Sequence, residues 1–141
     1  MRNRKSKRYT TSAYKGVKQR AAEKILGVWS AEIFDKNLGL VNLGTKFPTE
    51  KMAAAAYDAA SLILFGEDGF RNLDISEIPQ EIHKLAAVKI EGKKNRNAKR
   101  ERQKHFIETA LDQGKTVSEI RRALNISQFM YDRLLQKISK T

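Results

Sequence analysis

The chain of 141 residues contains no cysteine. Disulfides, thiolate metal sites and cysteine nucleophiles are therefore excluded. Histidine is nearly absent too, with only His83 and His105, far apart along the chain. The clustered histidines that a metal-dependent nuclease of the His-Asn-His kind needs are not available. No apolar run reaches the roughly 18 residues of a membrane span, and the first residues carry no signal-peptide core. The expectation is a soluble, intracellular protein with no membrane partner: nuclear in a eukaryote, otherwise in the cytoplasm or nucleoid. Acidic residues are scarce, 16 against 28 lysines and arginines, which leaves a formal net charge of +12. An excess of this size favours a polyanionic partner, of which double-stranded DNA is the leading case.

The charge is concentrated. Residues 1–20 hold Arg2, Arg4, Lys5, Lys7, Arg8, Lys15, Lys18 and Arg20 and no acid. A second cluster, Lys93, Lys94, Arg96, Lys99, Arg100, Arg102 and Lys104, is interrupted only by Glu101. A solvated tail and linker is the bland explanation. Clusters this dense and poor in acid more often meet phosphate.

The pattern along the chain divides it into four parts. Residues 1–12 read as a disordered basic arm, because they lack a periodic apolar signal. Residues 13–73 read as a three-stranded antiparallel sheet packed on one helix. Its strands are expected at Tyr14–Arg20, Val28–Phe34 and Leu40–Gly44, with the hairpin connection Asp35-Lys36-Asn37-Leu38-Gly39 between the last two. Pro48 ends the third strand, Thr49 caps an alanine-rich helix, and Gly66 closes it. Residues 74–104 read as a connector, in which Pro79 starts a short helix through Ile82, Leu85 and Ala86. After Gly92 the connector turns basic, loses periodicity and is expected to be flexible. Residues 105–141 read as three short helices in helix-turn-helix order. Phe106, Ile107, Ala110 and Leu111 form one stripe, Val117, Ile120 and Leu124 a second, and Tyr131, Leu134, Leu135 and Ile138 a third. Thr116-Val117-Ser118-Glu119 is a capping box, Asn125 takes the tight-turn position, and Ser127 caps the last helix. The fold class is α+β in the first half, followed by an all-α module.

Period-two alternation decides which sheet face is covered. Trp29, Ala31 and Ile33 share a side, as do Val41 and Leu43, and the helix with Ala53, Ala56 and Ala60 must cover that side. Ser30, Glu32, Phe34, Leu40 and Asn42 are left on the other. Lys18 and Arg20 are two apart and point together; Lys15 joins them only if Gly16 forms a bulge. Cations interleaved with exposed Phe34 and Leu40 on an open face suit the thymine methyls and sugar rings of a DNA major groove better than bare water. The alternative is that these cations merely keep the open face in solution.

The blocks "YKGVKQR", "GVWSAEIFD", "LVNLGTKFPT", "AAAAYDAASLILFG" and "RNLD" occur in this order between residues 14 and 73. In order and spacing this segment resembles the APETALA-type, ethylene-response-factor DNA-binding domain. The resemblance implies a sheet that reads the major groove. It sets Lys15, Lys18 and Arg20 at cationic positions of the first strand and Glu32 at a sheet-face acid. Tyr57 falls at a helix tyrosine that reaches a phosphate, and Asn72 at a structural, closing asparagine. The chain also departs from the family. Phe34, Leu40 and Asn42 stand where arginines and a tryptophan are usual, the loop Ala21–Leu26 is longer, and Lys46 is an insertion. The GC-rich target usual for the family is therefore not expected. Such domains also accompany homing endonucleases, so an accessory DNA-binding protein of a phage or mobile element is the alternative to a transcriptional regulator.

"TVSEIRRALNISQFMYDRLL" resembles helix-turn-helix domains of resolvases and regulators. Its recognition positions fall on Gln128, Phe129 and Arg133, with Ser127 near phosphate; Arg121 departs from the pattern. The alternative here is a protein-interaction module. RNA binding ranks low, because the sheet offers only Phe34 for base stacking. Scattered carboxylates, with no phosphate loop and no nucleophile motif, argue against an enzyme, a bound metal and a cofactor.

Overall fold

The computed structural model describes residues 9–139, with side chains described from residue 12 onward. The fold is α+β, an antiparallel sheet followed by helices. Four strands lie in sequence order: β1 (Tyr9–Thr11), β2 (Val17–Arg20), β3 (Trp29–Asp35) and β4 (Gly39–Phe47). The last three are the expected strands with adjusted ends. β1 corrects the reading of residues 1–12 as disordered: Tyr9, Thr10 and Thr11 pair with Arg20, Gln19 and Lys18. Residues 1–8 of the expected arm lie outside the described residues. The β-branched pair Thr10-Thr11 suits an edge strand, a local preference that the lack of apolar periodicity concealed.

The segment Ala21–Leu26, expected as a loop, is a short helix, α1. Its residues are mostly good helix formers, and Gly27 ends it in the left-handed conformation (φ 68°). The hairpin between β3 and β4 turns as its sequence requires. The Asp35 carboxylate accepts the N–H groups of Asn37 (2.9 Å) and Leu38 (2.8 Å), and Gly39 takes φ 79°. Helix α2 (Glu50–Phe65) starts where Thr49 Oγ1 accepts the N–H of Met52 at 3.1 Å and stops at Gly66.

The first core lies between α2 and the sheet. Val17, Ala31, Ile33, Val41, Leu43 and Phe47 face it from the strands, and Ala53 to Ala56, Ala59 and Ala60 from the helix. The buried face is the one that alternation assigned, and Trp29 closes it at the margin as a half-buried residue. Small side chains on α2 let its backbone approach the sheet closely. At one point the approach is extreme: Tyr57 lies against the backbone of Gly16. A Cβ on Gly16 would stand 2.1 Å from the Tyr57 ring and 2.7 Å from the carbonyl oxygen of Glu32.

The connector is the largest difference from the expectation. Helix α3 runs unbroken from Gln80 to Asp112. Pro79 opens it, its carbonyl accepting the N–H groups of Ile82 and His83. The stretch after Gly92 has no apolar period, but Lys, Arg, Glu, Gln and Ala all favour helix, and no proline interrupts them. Periodicity reports burial, whereas propensity alone suffices here. The chain forms two compact units, residues 1–93 and 94–141. Ile78, Ile82, Ala86 and Ile90 extend the core of the first.

In the second unit α3 is joined by α4 (Val117–Leu124) and α5 (Gln128–Ile138). The caps form as expected, except that the capping box is half formed, Glu119 Oε1 accepting the Thr116 hydroxyl at 3.2 Å and not the Thr116 N–H. Thr116 Oγ1 accepts from Glu119 N at 3.2 Å, Ser127 Oγ from Met130 N at 3.2 Å, and Asn125 is left-handed at φ 52°. Ile107, Ala110, Ile120, Tyr131 and Leu134 form this unit's core. Phe106, Leu111 and Val117, expected to face inward, remain at the surface. A three-helix unit of this size has room for one apolar row per helix, and the rows that meet contain Ile107 and Ile120.

Gly16→Ala should lower the unfolding free energy by about 2–4 kcal/mol, combining a disfavoured left-handed backbone with overpacking against Tyr57. Urea denaturation of the full chain measures it; an unchanged midpoint would mean that the Tyr57 ring moves aside freely.

Candidate nucleic-acid interface

The open face of the sheet collects six of the residues singled out in the sequence, Lys18, Arg20, Glu32, Phe34, Leu40 and Asn42. β2 points Val17 and Gln19 inward and Lys18 and Arg20 outward. On β3 and β4 the outward cross-strand pairs are Glu32 with Asn42 and Phe34 with Leu40. Phe34 is 66 % and Leu40 52 % exposed. Lys18 Nζ lies 2.7 Å from Glu32 Oε1, and Arg20 Nε lies 3.7 Å from the Glu23 carboxylate of α1. The side-chain carbonyl of exposed Asn42 accepts the N–H of Gly44 at 2.9 Å. The face thus mixes cation, acid, amide and apolar surface within two short strand pairs.

Three expected interface residues are placed differently. Ser30 is buried and donates its hydroxyl to the Lys18 carbonyl at 3.0 Å, so it ties β3 to β2 and presents no free group outward. Tyr57 is only 6 % exposed and its ring packs under Gly16, which makes it a core residue. Lys15 lies in the turn before β2, where Gly16 is left-handed but makes no bulge within the strand. The Lys15 ammonium sits 5.0 Å from the centre of the Phe70 ring and does not join Lys18 and Arg20. The register shifts occur instead between β3 and β4, on either side of Ala31. The expected insertion at Lys46 falls within that irregular stretch of β4.

What orients the start of β2 is a buried acid that the sequence reading passed over. Asp58 of α2 is fully buried. Its carboxylate accepts the backbone N–H groups of Asn72 and Leu73, each at 2.7 Å, and the Asn72 side-chain amide at 3.2 Å. Asn72 then brackets Lys15, donating to its carbonyl (3.1 Å) and accepting its N–H (2.8 Å). The expected structural role of Asn72 is observed. An acid on the alanine stripe, in line with Ala54 and Ser61, was the available signal: a charge on a buried helix face has to be held by hydrogen bonds. Burial raises the Asp58 pKa above the usual carboxylate range, although the hydrogen bonds from Asn72 and Leu73 and the charge of Arg71 pull it down.

In the second unit the positions singled out on α5 are mutually engaged. Arg121 Nη1 donates to Gln128 Oε1 at 3.1 Å, and Gln128 Nε2 donates to Asp132 Oδ1 at 2.8 Å. Ser127 serves as the helix cap. Phe129 is exposed, with the Arg133 guanidinium 5.6 Å from its ring centre. Arg100, Arg133 and Lys137 line a groove with Met130 and Leu134, a cationic surface that joins Arg100 of the basic cluster to the recognition position Arg133. Among the described residues no group of three or more His, Asp and Glu side chains is arranged to hold a metal ion, and no helix is long and apolar enough to cross a membrane. No protein-family model matches the chain, and no curated protein is significantly similar to it.

Asp58→Ala strands two backbone donors and should destabilise the first unit by about 2–4 kcal/mol near neutral pH. The sign of its pH dependence follows from the raised pKa. The folded state holds the Asp58 proton more tightly than the unfolded chain, so this group contributes most below the ordinary carboxylate value and less as pH rises through its folded value. The stability gap between parent and variant should therefore widen on going from about pH 7 to about pH 4.5. Asp74 and Glu77, lowered by hydrogen bonds from Ser76 and Lys51 respectively, titrate with the opposite sign in both proteins and cancel in the comparison. Urea titrations at the two pH values give the answer; a gap that narrows would mean that Asp58 is better held charged than protonated.

Proposed function

We propose that this protein binds double-stranded DNA sequence-specifically, with the open face of β2, β3 and β4 in the major groove, and acts as a transcriptional regulator. The observation that carries the reading is the composition of that face. Lys18, Arg20, Glu32, Phe34, Leu40 and Asn42 stand together on a sheet whose other side is sealed by α2. A sheet that only needed solubility would present uniform charge, not an apolar pair beside an amide and an ion pair. The net charge of +12 supplies attraction to phosphate. The resemblance of residues 14–73 to ethylene-response-factor DNA-binding domains supports the same assignment. In a eukaryotic host the place of action is the nucleus, otherwise the nucleoid.

For the second unit DNA contact through Phe129, Arg133 and the neighbouring cations is the favoured role. A protein partner is the second reading. It is favoured by the Arg121–Gln128–Asp132 chain, which occupies the amide best placed to read a base. It is favoured also by an apolar groove of about 380 Å³ lined in part by Phe106, Ala110, Ile120 and Ala123.

Selection from a random duplex pool with the full chain should enrich one motif. Arg20→Ala should then weaken binding to it by about 1–3 kcal/mol while the fold persists. If Arg20 meets a phosphate, the slope of log affinity against log salt should also fall by about 0.9. Gel-shift titrations over a salt series measure both; a folded variant with unchanged affinity removes this face from the interface. Phe129→Ala combined with Arg133→Ala should shorten the nuclease footprint of the full chain. An unchanged footprint and affinity would assign the second unit to a protein partner.

A further inference from the structure

The β3–β4 hairpin extends beyond its neighbour in the sheet. β2 pairs with β3 only at Val17 with Ala31 and Lys18 with Ser30, and the last link on that side is the Glu32 N–H to the Gly16 carbonyl, at 2.9 Å. From Ile33 to Asp35, β3 pairs with β4 alone. The tip is a two-stranded ribbon whose inner residues, Ile33 and Val41, are buried in the core and whose outer residues are Phe34 and Leu40. These two are direct cross-strand partners and form one apolar surface at the outermost row of the face. Neither neighbouring acid is left open toward a ligand: the Asp35 carboxylate is turned into the hairpin by Asn37 and Leu38, and Glu32 on the same face is paired with Lys18.

A two-stranded ribbon is the width that the DNA major groove admits, and the apolar feature that a base pair shows there is the C5-methyl group of thymine. We infer that the Phe34–Leu40 pair is a thymine-methyl reader, so that the target contains at least one thymine read by contact with its methyl group. The inference rests on the major-groove reading above and names what its tip recognises. The surroundings fit this partner. Lys18 and Arg20 share the face and complement phosphate, and the next row inward, Glu32 and Asn42, is polar as base-pair edges beside a thymine require. A hydrophobic protein partner would meet the same ion pair and amide immediately beside a two-residue patch, a poor match to an apolar interface core.

The test uses the full chain and the enriched duplex. Each thymine in turn is replaced by deoxyuridine, which lacks only the C5-methyl group. At one or two adjacent positions the parent protein should lose about three- to tenfold in affinity, the worth of a buried methyl contact. Phe34→Ala should bind the thymine duplex more weakly by a similar factor and should no longer distinguish thymine from deoxyuridine there. Phe34 is mostly exposed, so the variant should melt with the parent, which separates recognition from folding. If the parent binds its motif but tolerates deoxyuridine everywhere, or if Phe34→Ala keeps the discrimination, the methyl reading is overturned and DNA binding by the sheet stands. If no motif is enriched at all, the major-groove reading fails and this inference with it.

Discussion

The first unit depends on one carboxylate placed where water cannot reach it. Asp58 sits on the alanine face of α2 and satisfies the backbone of Asn72 and Leu73 as the chain returns past the helix. Asn72, fixed in this way, holds both backbone groups of Lys15. Three segments far apart in sequence are therefore joined by a short chain of hydrogen bonds. The turn at Lys15-Gly16 is pinned above Tyr57, and β2 must begin at Val17 with that side chain inward. Strand side chains alternate, so the starting point decides that Lys18 and Arg20 face outward. A buried charge is costly, and the raised pKa of Asp58 reflects that cost; the hydrogen bonds it accepts offset part of it.

With the phase of β2 set, the sheet has two unlike faces. One is closed by α2, whose alanines admit the strands at short range. The other carries an ion pair, an amide and two apolar side chains. The Lys18–Glu32 pair matters for how such a face would act. A lysine already matched by an acid adds little net attraction to phosphate, so the pair favours fixed geometry over raw affinity. On the proposed DNA-binding role, attraction at long range would fall to the cations elsewhere, including those spread along α3 between Lys93 and Lys104.

The second unit is organised by its helix ends. Thr116, Asn125 and Ser127 satisfy backbone groups where α4 and α5 begin and where the chain reverses between them. Arg121, inside α4, spends one nitrogen on Gln128 at the start of α5. That contact orders the first turn of α5 while it occupies Gln128, and Phe129 and Arg133 are left as the exposed pair. The cationic border of Arg100, Arg133 and Lys137 draws on two helices, which no single-helix pattern displays.

Local chemistry determined much of this protein without help from tertiary contacts. The hairpin at Asp35–Gly39, the caps at Thr49, Thr116 and Ser127, the left-handed Asn125 and the buried face of Ala31, Ile33, Val41 and Leu43 follow from neighbours within a few residues. Alternation within each strand also puts Lys18 with Arg20, Glu32 with Phe34 and Leu40 with Asn42 on a shared side, while the hold on Lys15 decides that Lys18 and Arg20 face outward. Where a reading relied on periodicity alone it failed for helices that bury little: α1 and the basic half of α3 are helical by propensity, with no core-facing rhythm to mark them. What only the tertiary structure decided are the contacts between distant segments. The burial of Tyr57 under Gly16, the hold of Asp58 on Asn72 and of Asn72 on Lys15, the loss of Ser30 to the sheet and the turn of Lys15 toward Phe70 all join residues separated by a dozen positions or more. Such contacts depend on how closely a helix can approach a sheet and on which polar groups that approach leaves without water. Neither quantity is written in any single stretch of the chain.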